Sequence, residues 1–176
     1  MRAIPALIAA ALVASCTAGT TPASDALEGG YFVRDGMVAG IDPPANAIWN
    51  LQVEVMDDFG NFDPALMDSG NWATLEDAAR KLEAEAQLSA AADYYIVTNP
   101  AGGLPPAPEG TDLAAIQARL TANEAGYRSF STAMAMHAAK LVEAAKAKDA
   151  ARVTQLANDL QPVCKSCHDV FWYPEE

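Results

Sequence analysis

The stretch AAKLVEAAKAKDAARVTQLANDLQPVCKSCHDVF, residues 138–171, determines the fold class of this chain. From Val153 onward, apolar residues recur every three or four positions, at Leu156 and Leu160, before two cysteines continue the same spacing. Such spacing predicts an amphipathic helix with one face against a core, and the helix is expected to begin near Asp149. The segment before Asp149 has the same character, so the stretch predicts two consecutive helices.

Earlier segments show the same helical spacing, and the period-two alternation typical of strands is almost absent. We predict helices over residues 44–59, 74–96 and 111–148, with a long proline-rich loop between the second and the third. Asn123, near Gly126, interrupts the apolar stripe of the third helix and indicates either a buried residue that needs hydrogen-bond partners or a local bend. The predicted fold class is all-α: amphipathic helices that bury their stripes against one another as a four-helix bundle.

The N-terminal segment is predicted to be a targeting signal. Arg2 supplies a positive charge, and the apolar run AIPALIAAALVAS that follows is too short to span a bilayer. The sequence LVASC, which ends at Cys16, resembles the lipobox of bacterial lipoproteins. This resemblance implies cleavage before Cys16 and acylation of that cysteine, and several acyl chains anchor a protein stably. The alternative is ordinary signal cleavage after Ala18, which leaves a soluble protein.

The chain therefore divides into three predicted segments. Residues 1–15 form a lipoprotein signal peptide, and residues 16–43 form an acylated cysteine with a flexible tether rich in Thr, Ala, Gly, Ser and Pro. Residues 44–176 form the helical domain. We expect the domain in the periplasm, lipid-anchored to a membrane; the residues after Cys16 contain no obvious inner-membrane retention signal, which favours the outer membrane.

The charge of the chain limits its partners. The 176 residues include 23 acidic and 11 basic side chains, for a net charge of −12. Such a chain repels the phosphate backbone of nucleic acids, so nucleic acid is not an expected partner. A protein partner is expected to carry a basic docking face.

Two cysteines and a histidine, Cys164, Cys167 and His168, form the pattern C-x-x-C-H, whose spacing is typical of covalent c-type haem attachment. Positions i and i+3 of a helix share a face, so both cysteines point toward the apolar seam, and His168 lies one turn beyond Cys164. Two thioethers can then hold one edge of a porphyrin while the imidazole reaches the iron. The predicted cofactor is one covalent haem c near the C-terminus.

Other interpretations of the motif remain open at this stage. With His137, the motif residues could form a Cys2His2 zinc site, although a chain with this many helices does not need zinc to fold. A thiol-disulfide oxidoreductase also uses C-x-x-C, but normally near a βαβ pattern, which is missing here. The third alternative is an accidental occurrence of the motif.

The chain resembles the cytochrome c-prime family, the class II c-type cytochromes. The resemblance is carried by residues 138–171 and extends more loosely back to about Pro44. It implies that Cys164 and Cys167 are the thioether attachments and that His168 is the proximal iron ligand. Phe171 stands where the family has an aromatic residue. Trp172 stands where the family usually has Arg or Lys, so the usual basic group near the proximal imidazole is missing.

In this family the sixth iron position is either vacant or filled by a methionine of the first helix. Met56 is the predicted candidate ligand, and the alternative is that it is a core methionine packed against the ring. Met67, in a predicted loop, is a weaker candidate. His137 lies on the apolar stripe of the third helix, where a core histidine or a partner of a haem propionate is more common than an iron ligand.

The predicted function is that of a monohaem cytochrome that carries single electrons. The alternative is a five-coordinate haem protein that binds NO or CO for sensing or detoxification. No catalytic carboxylate pair, nucleophile–base set or phosphate loop is evident, so an enzyme is not expected, and Glu83 and Glu85 are expected on a solvated helix face. Family members often form homodimers through their first two helices, but the exposed faces here show no clear apolar stripe.

Overall fold

The computed structural model describes residues 29–60 and 62–173. The predicted signal peptide, Cys16 and most of the predicted tether lie outside the described residues. The elements in chain order are β1 (Gly30–Phe32), α1 (Val33–Gly36), a π-helical turn (Met37–Ile41), α2 (Asp42–Glu54), a 3-10 turn (Pro64–Leu66), α3 (Ser69–Ala91), β2 (Tyr94–Ile96), α4 (Leu113–Ala122), α5 (Glu124–Lys146) and α6 (Ala150–Phe171).

Helices α2, α3, α5 and α6 pack as a four-helix bundle, which confirms the predicted all-α fold. Helix α3 lies along α5, α5 lies along α6, and α2 packs against both α3 and α6. Each helix contributes small and branched apolar side chains to one continuous core, and burial of this surface is the main force that holds the bundle together. Fully buried members of that core include Ile48, Leu75, Leu82, Leu141, Val153 and Leu160.

Short polar side chains set the starts of the helices. The side chains of Asp68, Asp112 and Asp149 each accept a hydrogen bond from a backbone N–H in the first turn of α3, α4 and α6. Such N-caps satisfy donors that have no partner within the helix. The predicted start of the last helix near Asp149 is confirmed.

The predicted helix over residues 111–148 is in fact two helices. Asn123 leaves the helical conformation, with φ −145° and ψ 52°, and its side chain accepts a hydrogen bond from the Gly126 N–H as the N-cap of α5. Asn123 is exposed. The local bend that the sequence left open is therefore the correct alternative, because an asparagine that caps a new helix needs no buried partner.

Ordered structure begins earlier than the predicted domain boundary at Pro44. Within the predicted tether of residues 16–43, β1, α1 and the π-helical turn lead directly into α2. Tyr31, Phe32 and Val33 are almost fully buried, as is Ile41. The described part of the tether is therefore a correction to the prediction: its apolar side chains belong to the core and not to a flexible linker.

A small second core, which the sequence did not predict, closes one end of the bundle. Strands β1 and β2 pair in parallel, with Tyr31 opposite Tyr95. The helix predicted over residues 74–96 therefore ends earlier than expected, at Ala91, and β2 follows it. Helix α4 and the end of α6 pack on this pair. Members of this second core include Tyr31, Val33, Tyr95, Ile116, Leu120, Tyr127 and Phe171.

The first predicted helix, residues 44–59, ends too late. Helix α2 ends at Glu54, and Phe59, predicted on its buried stripe, is 89% exposed. Met56 lies beyond the helix and forms an isolated bridge with Phe62.

Among the helices of the described residues, none combines the length and the apolar character that a membrane-spanning helix requires.

Candidate haem site

Helix α6 carries the C-x-x-C-H motif near its C-terminal end. Pro162 lies inside the helix, but the helix continues to Phe171. Its end is held firmly: the backbone N–H groups of Trp172 and Tyr173 both donate to the His168 carbonyl, at 2.8 and 2.7 Å. Arg119 on α4 donates from Nε to the Phe171 carbonyl at 2.9 Å. Helix-end carbonyls that would otherwise lack partners are thus satisfied beside His168.

Cys164, Cys167 and His168 share one wall of a cavity of about 420 Å³ that lies inside the bundle. The cavity is formed by side chains from the π-helical turn, α2, α3, α5 and α6, and most of them are apolar. A concave apolar site with a few convergent polar groups is the usual form of a cofactor pocket. Its apolar walls include Met37, Ile41, Trp49, Ala86, Phe130 and Met134.

Burial keeps the motif side chains uncharged. It raises the pKa of the Cys164 thiol to about 11 and that of Cys167 to about 12, with the nearby Asp42 and the neighbouring cysteine adding to these respective shifts. Burial also lowers the pKa of the His168 imidazole, an effect that the carboxylates of Asp42 and Asp169 oppose. A neutral imidazole has a free lone pair, as an iron ligand requires.

The thiol-disulfide alternative is disfavoured by the same pKa values. Reactive cysteines of that class need a lowered pKa, because the thiolate is the nucleophile. Burial moves the pKa values of Cys164 and Cys167 in the opposite direction. Both side chains are free thiols.

His137 is a satisfied core histidine. It is buried between α5 and α6, and its Nε2 lies 2.8 Å from the Leu156 carbonyl oxygen. It is not among the residues that line the cavity. Within the described part of the chain, no group of three or more His, Cys, Asp or Glu side chains is arranged to hold a metal ion.

The structure does not bring Met56 to the cavity, which corrects its prediction as a candidate iron ligand. Met56 is partly exposed and lines a surface groove near the loop after α2, together with Gln52 and Pro64. Met67 is buried in the main core and does not line the cavity either. The physical reason is that α2 runs away from the cavity, so a residue beyond its C-terminal end is carried to the opposite end of the bundle.

Met37 is a methionine that does line the cavity. It lies in the π-helical turn that leads into α2 and lines the main cavity together with His168. A second cavity of about 210 Å³, on the side of Val33 and Pro108, is also lined by both residues. The sequence carried a signal for this segment: Met37 and Ile41 are spaced by one helical turn and continue the stripe of α2 backward.

Tyr31 and Glu85 form a hydrogen bond beside the cavity. The Tyr31 hydroxyl donates to Glu85 Oε1 at 2.8 Å, so Glu85 is not the purely solvated residue that was predicted. The bond depends on a close approach of α3 to the segment that contains β1, α1 and the π-helical turn. A Cβ atom on Gly40 would overlap Glu85 Cδ, so a larger side chain at Gly40 would displace the carboxylate.

The site fits a covalently held haem. Two thiols and a neutral imidazole share one wall, and apolar side chains form most of the rest, with a few polar groups such as Asp42, Ser131 and Gln161 among them. The family model described as Cytochrome C' matches residues 53–172. This chain belongs to the cytochrome c' family. Proteins of this family bind haem c covalently, so the chain is a haem-binding c-type cytochrome.

The C-x-x-C-H motif lies within the residues that match the family, and Met37 lies outside them. Cys164, Cys167 and His168 lie inside the matched residues, whereas β1, α1 and the π-helical turn precede them. The chain has no match among curated proteins or among solved structures. The role of the described residues before residue 53 is therefore inferred from their contacts in this structure.

Proposed function

We propose that this cytochrome is an electron carrier whose haem iron is ligated by His168 and Met37. The observation that supports this proposal is that both residues line the same two cavities. Thioether and imidazole together are an axial pair typical of electron-carrying cytochromes c. When bound, the haem supplies one-electron chemistry by cycling between ferric and ferrous iron.

The protein's own residues set the environment of that chemistry. The apolar walls exclude water, and exclusion of water favours the state of lower net charge. Asp42 lines both cavities and places a carboxylate near His168, which acts in the opposite direction by stabilising ferric iron. Trp172 adds no positive charge where the family usually has one.

A path for electrons to the surface is available beside the imidazole. The Tyr173 ring packs edge-on against His168, with ring centroids 6.3 Å apart and planes at 82°. Tyr173 is largely exposed and also lines both cavities. A partner protein that docks over Tyr173 would be separated from the iron by the Tyr173 and His168 rings.

Gas binding is the second candidate, and the smaller cavity favours it. That cavity shares Met37, Tyr127 and His168 with the main one and offers room for a diatomic molecule beside His168. The two candidates differ in whether Met37 fills the sixth position. A filled position leaves no place for CO.

The substitution Met37→Leu tests the electron-carrier proposal. We expect the unmodified protein, produced with haem-maturation enzymes, to be low-spin and indifferent to CO in its ferrous state. Met37→Leu removes the sulfur but keeps the apolar volume, so it should become high-spin and bind CO. Optical spectra of the ferric, ferrous and CO-treated ferrous forms measure both changes.

Met56→Leu is the matched control, because Met56 is a methionine of the same chain that lies away from the cavity. It should leave every spectrum unchanged. A low-spin spectrum retained in Met37→Leu would contradict ligation by Met37. An unmodified protein that is high-spin and binds CO would instead support gas binding.

We also propose that the cytochrome is anchored in the periplasm through acylated Cys16. The support is the lipobox-like sequence LVASC after the apolar run. Cys16→Ser should move the protein from the membrane fraction to the soluble fraction and abolish incorporation of labelled fatty acid, while the haem spectrum stays the same. Soluble behaviour of the unmodified protein would contradict the anchor.

A further inference from the structure

The π-helical turn that carries Met37 has two faces. Met37 and Ile41 line the main cavity. Gly36 and Gly40 line a surface groove between the turn and α3. Turns of this kind are rare and occur frequently at functional sites. The contacts on the groove face therefore help to decide where the Met37 side chain lies on the cavity face.

Helix α3 places Glu85 against the groove face of the turn. Glu85 lines the groove, and its Oε1 accepts a hydrogen bond from the Tyr31 hydroxyl at 2.8 Å. A Cβ atom on Gly36 would overlap the Tyr31 hydroxyl, and a Cβ atom on Gly40 would overlap the Glu85 side chain. The two glycines thus allow the Tyr31–Glu85 pair to lie directly against the backbone of the turn.

Tyr31 is held in place as the donor of this pair. It is 3% exposed, and its ring packs edge-on against Tyr95, with centroids 6.5 Å apart. Burial raises the pKa of Tyr31, and the Glu85 carboxylate adds to the rise, while the Ser89 hydroxyl acts slightly in the opposite direction. The hydroxyl therefore keeps its proton and can donate to Glu85. Since Tyr31 lines the main cavity and Glu85 lines the groove, the pair connects the two faces of the turn.

The chain on either side of Met37 is anchored as well. On the N-terminal side, the buried Asp35 carboxylate accepts a hydrogen bond from the Asn99 N–H at 3.0 Å. On the C-terminal side, Ile41 is buried in the main core. Between these two anchors, the hydrogen-bonded pair ties the turn to α3. Rigid support of this kind is what a site residue needs if its side chain is to stay in one position.

We propose that the Tyr31–Glu85 pair fixes the π-helical turn and thereby presents the Met37 thioether to the haem iron. This inference rests on the proposed function for the haem and for Met37 as its ligand. Tyr31 and Glu85 are positioning residues, because they act through the backbone of residues 36–40. A ligand that is already held in place loses little entropy on binding, so loosening of the turn weakens the iron–sulfur bond.

The substitutions Glu85→Ala and Tyr31→Phe test the inference in the haem-loaded protein. Each removes the hydrogen bond, so exogenous imidazole should displace Met37 from ferric iron with about three- to tenfold higher apparent affinity. The amide proton of Asp42, which donates to the Met37 carbonyl, should also exchange faster with deuterium, as measured by NMR. The double variant should show no more than the larger single effect, because both substitutions break the same interaction.

Glu85→Gln and Glu83→Ala are the two controls. Glutamine keeps an oxygen that can accept from Tyr31, so Glu85→Gln should retain the imidazole affinity and the exchange rate of the unmodified protein. Glu83 is a carboxylate of the same helix that bonds to Gln87 and lines neither the main cavity nor the groove. Glu83→Ala should therefore leave both measurements unchanged.

Three results would overturn the positioning role. Glu85→Ala could behave like the unmodified protein, or Glu83→Ala could show the same shifts as Glu85→Ala. Glu85→Gln could also shift the imidazole affinity as much as Glu85→Ala, which would show that the charge of Glu85 acts and not its hydrogen bond.

The two proposals fail in different ways. If the unmodified protein is low-spin and Met37→Leu behaves as expected while Glu85→Ala changes neither measurement, the electron-carrier proposal stands and the positioning role is rejected. If the unmodified protein is high-spin and binds CO, Met37 is not the ligand, and both proposals are rejected by that first spectrum.

Discussion

The double variant Cys164→Ala with Cys167→Ala is expected to contain no covalently bound haem. Both thiols line the cavity wall, and they are the cysteines within the residues that match the family. Each thioether requires one of these sulfur atoms, so removal of both leaves only non-covalent binding. The measurement is haem-dependent staining of the denatured protein after electrophoresis, together with extraction of haem into acidified organic solvent.

Cys16→Ser is the matched control, because it removes the third cysteine of the chain, which is not part of the C-x-x-C-H motif. It should keep full haem staining. Each single variant at Cys164 or Cys167 should keep one thioether and show a shifted ferrous spectrum, since one vinyl group remains unreacted. Covalent haem in the double variant would show that another residue forms the attachment and would contradict the assignment of both cysteines.

The parts of the fold that the sequence predicted well are those in which local pattern decides the structure. Helix α6 begins after Asp149 as predicted, because a capping carboxylate and a regular apolar stripe act within a few residues of each other. The C-x-x-C-H motif lies on that helix, so its placement on one wall followed from helical periodicity alone. Tertiary contacts were not needed for either prediction.

The segment before α2 could not be assigned from its composition. Gly, Ala and Pro between residues 29 and 43 suggested a linker, but the glycines serve close packing. Gly40 leaves room for the Glu85 side chain, and Tyr31 pairs with Tyr95 in a strand pair that joins distant parts of the chain. Such contacts exist only after the bundle has formed, so short-range pattern gives little sign of them.

The position of Met56 could not be predicted for the same reason. Met56 was selected because it lies within the predicted first helix, but the helical segment begins at Val33 and α2 ends at Glu54. An α-helix rises about 1.5 Å per residue, so an error of many residues in where the helix starts moves a side chain from one end of the bundle to the other. Met37 is near the start of this segment and reaches the cavity.

The substitution Phe171→Ala is expected to lower the free energy of unfolding by about 3–5 kcal/mol, the usual cost of truncating a buried aromatic side chain. Phe171 is 2% exposed and packs edge-on against Tyr127 and Phe130. Its backbone carbonyl also anchors Arg119. Since domains of this size are stable by only about 5–15 kcal/mol, the loss is a large fraction of the total. Urea unfolding of the haem-loaded protein, followed by circular dichroism, measures it.

Val170→Ala provides the matched control, because Val170 precedes Phe171 on the same helix and is 41% exposed. It should change the free energy of unfolding by less than about 1 kcal/mol. Phe171→Ala should also alter the haem spectrum, since the cavity left behind lies between the Tyr127 ring and the end of the helix that carries His168. Truncation of a packed Phe171 must lower the free energy of unfolding more than truncation of a half-exposed valine. Equal losses in the two variants would therefore show that the second core does not support the haem site.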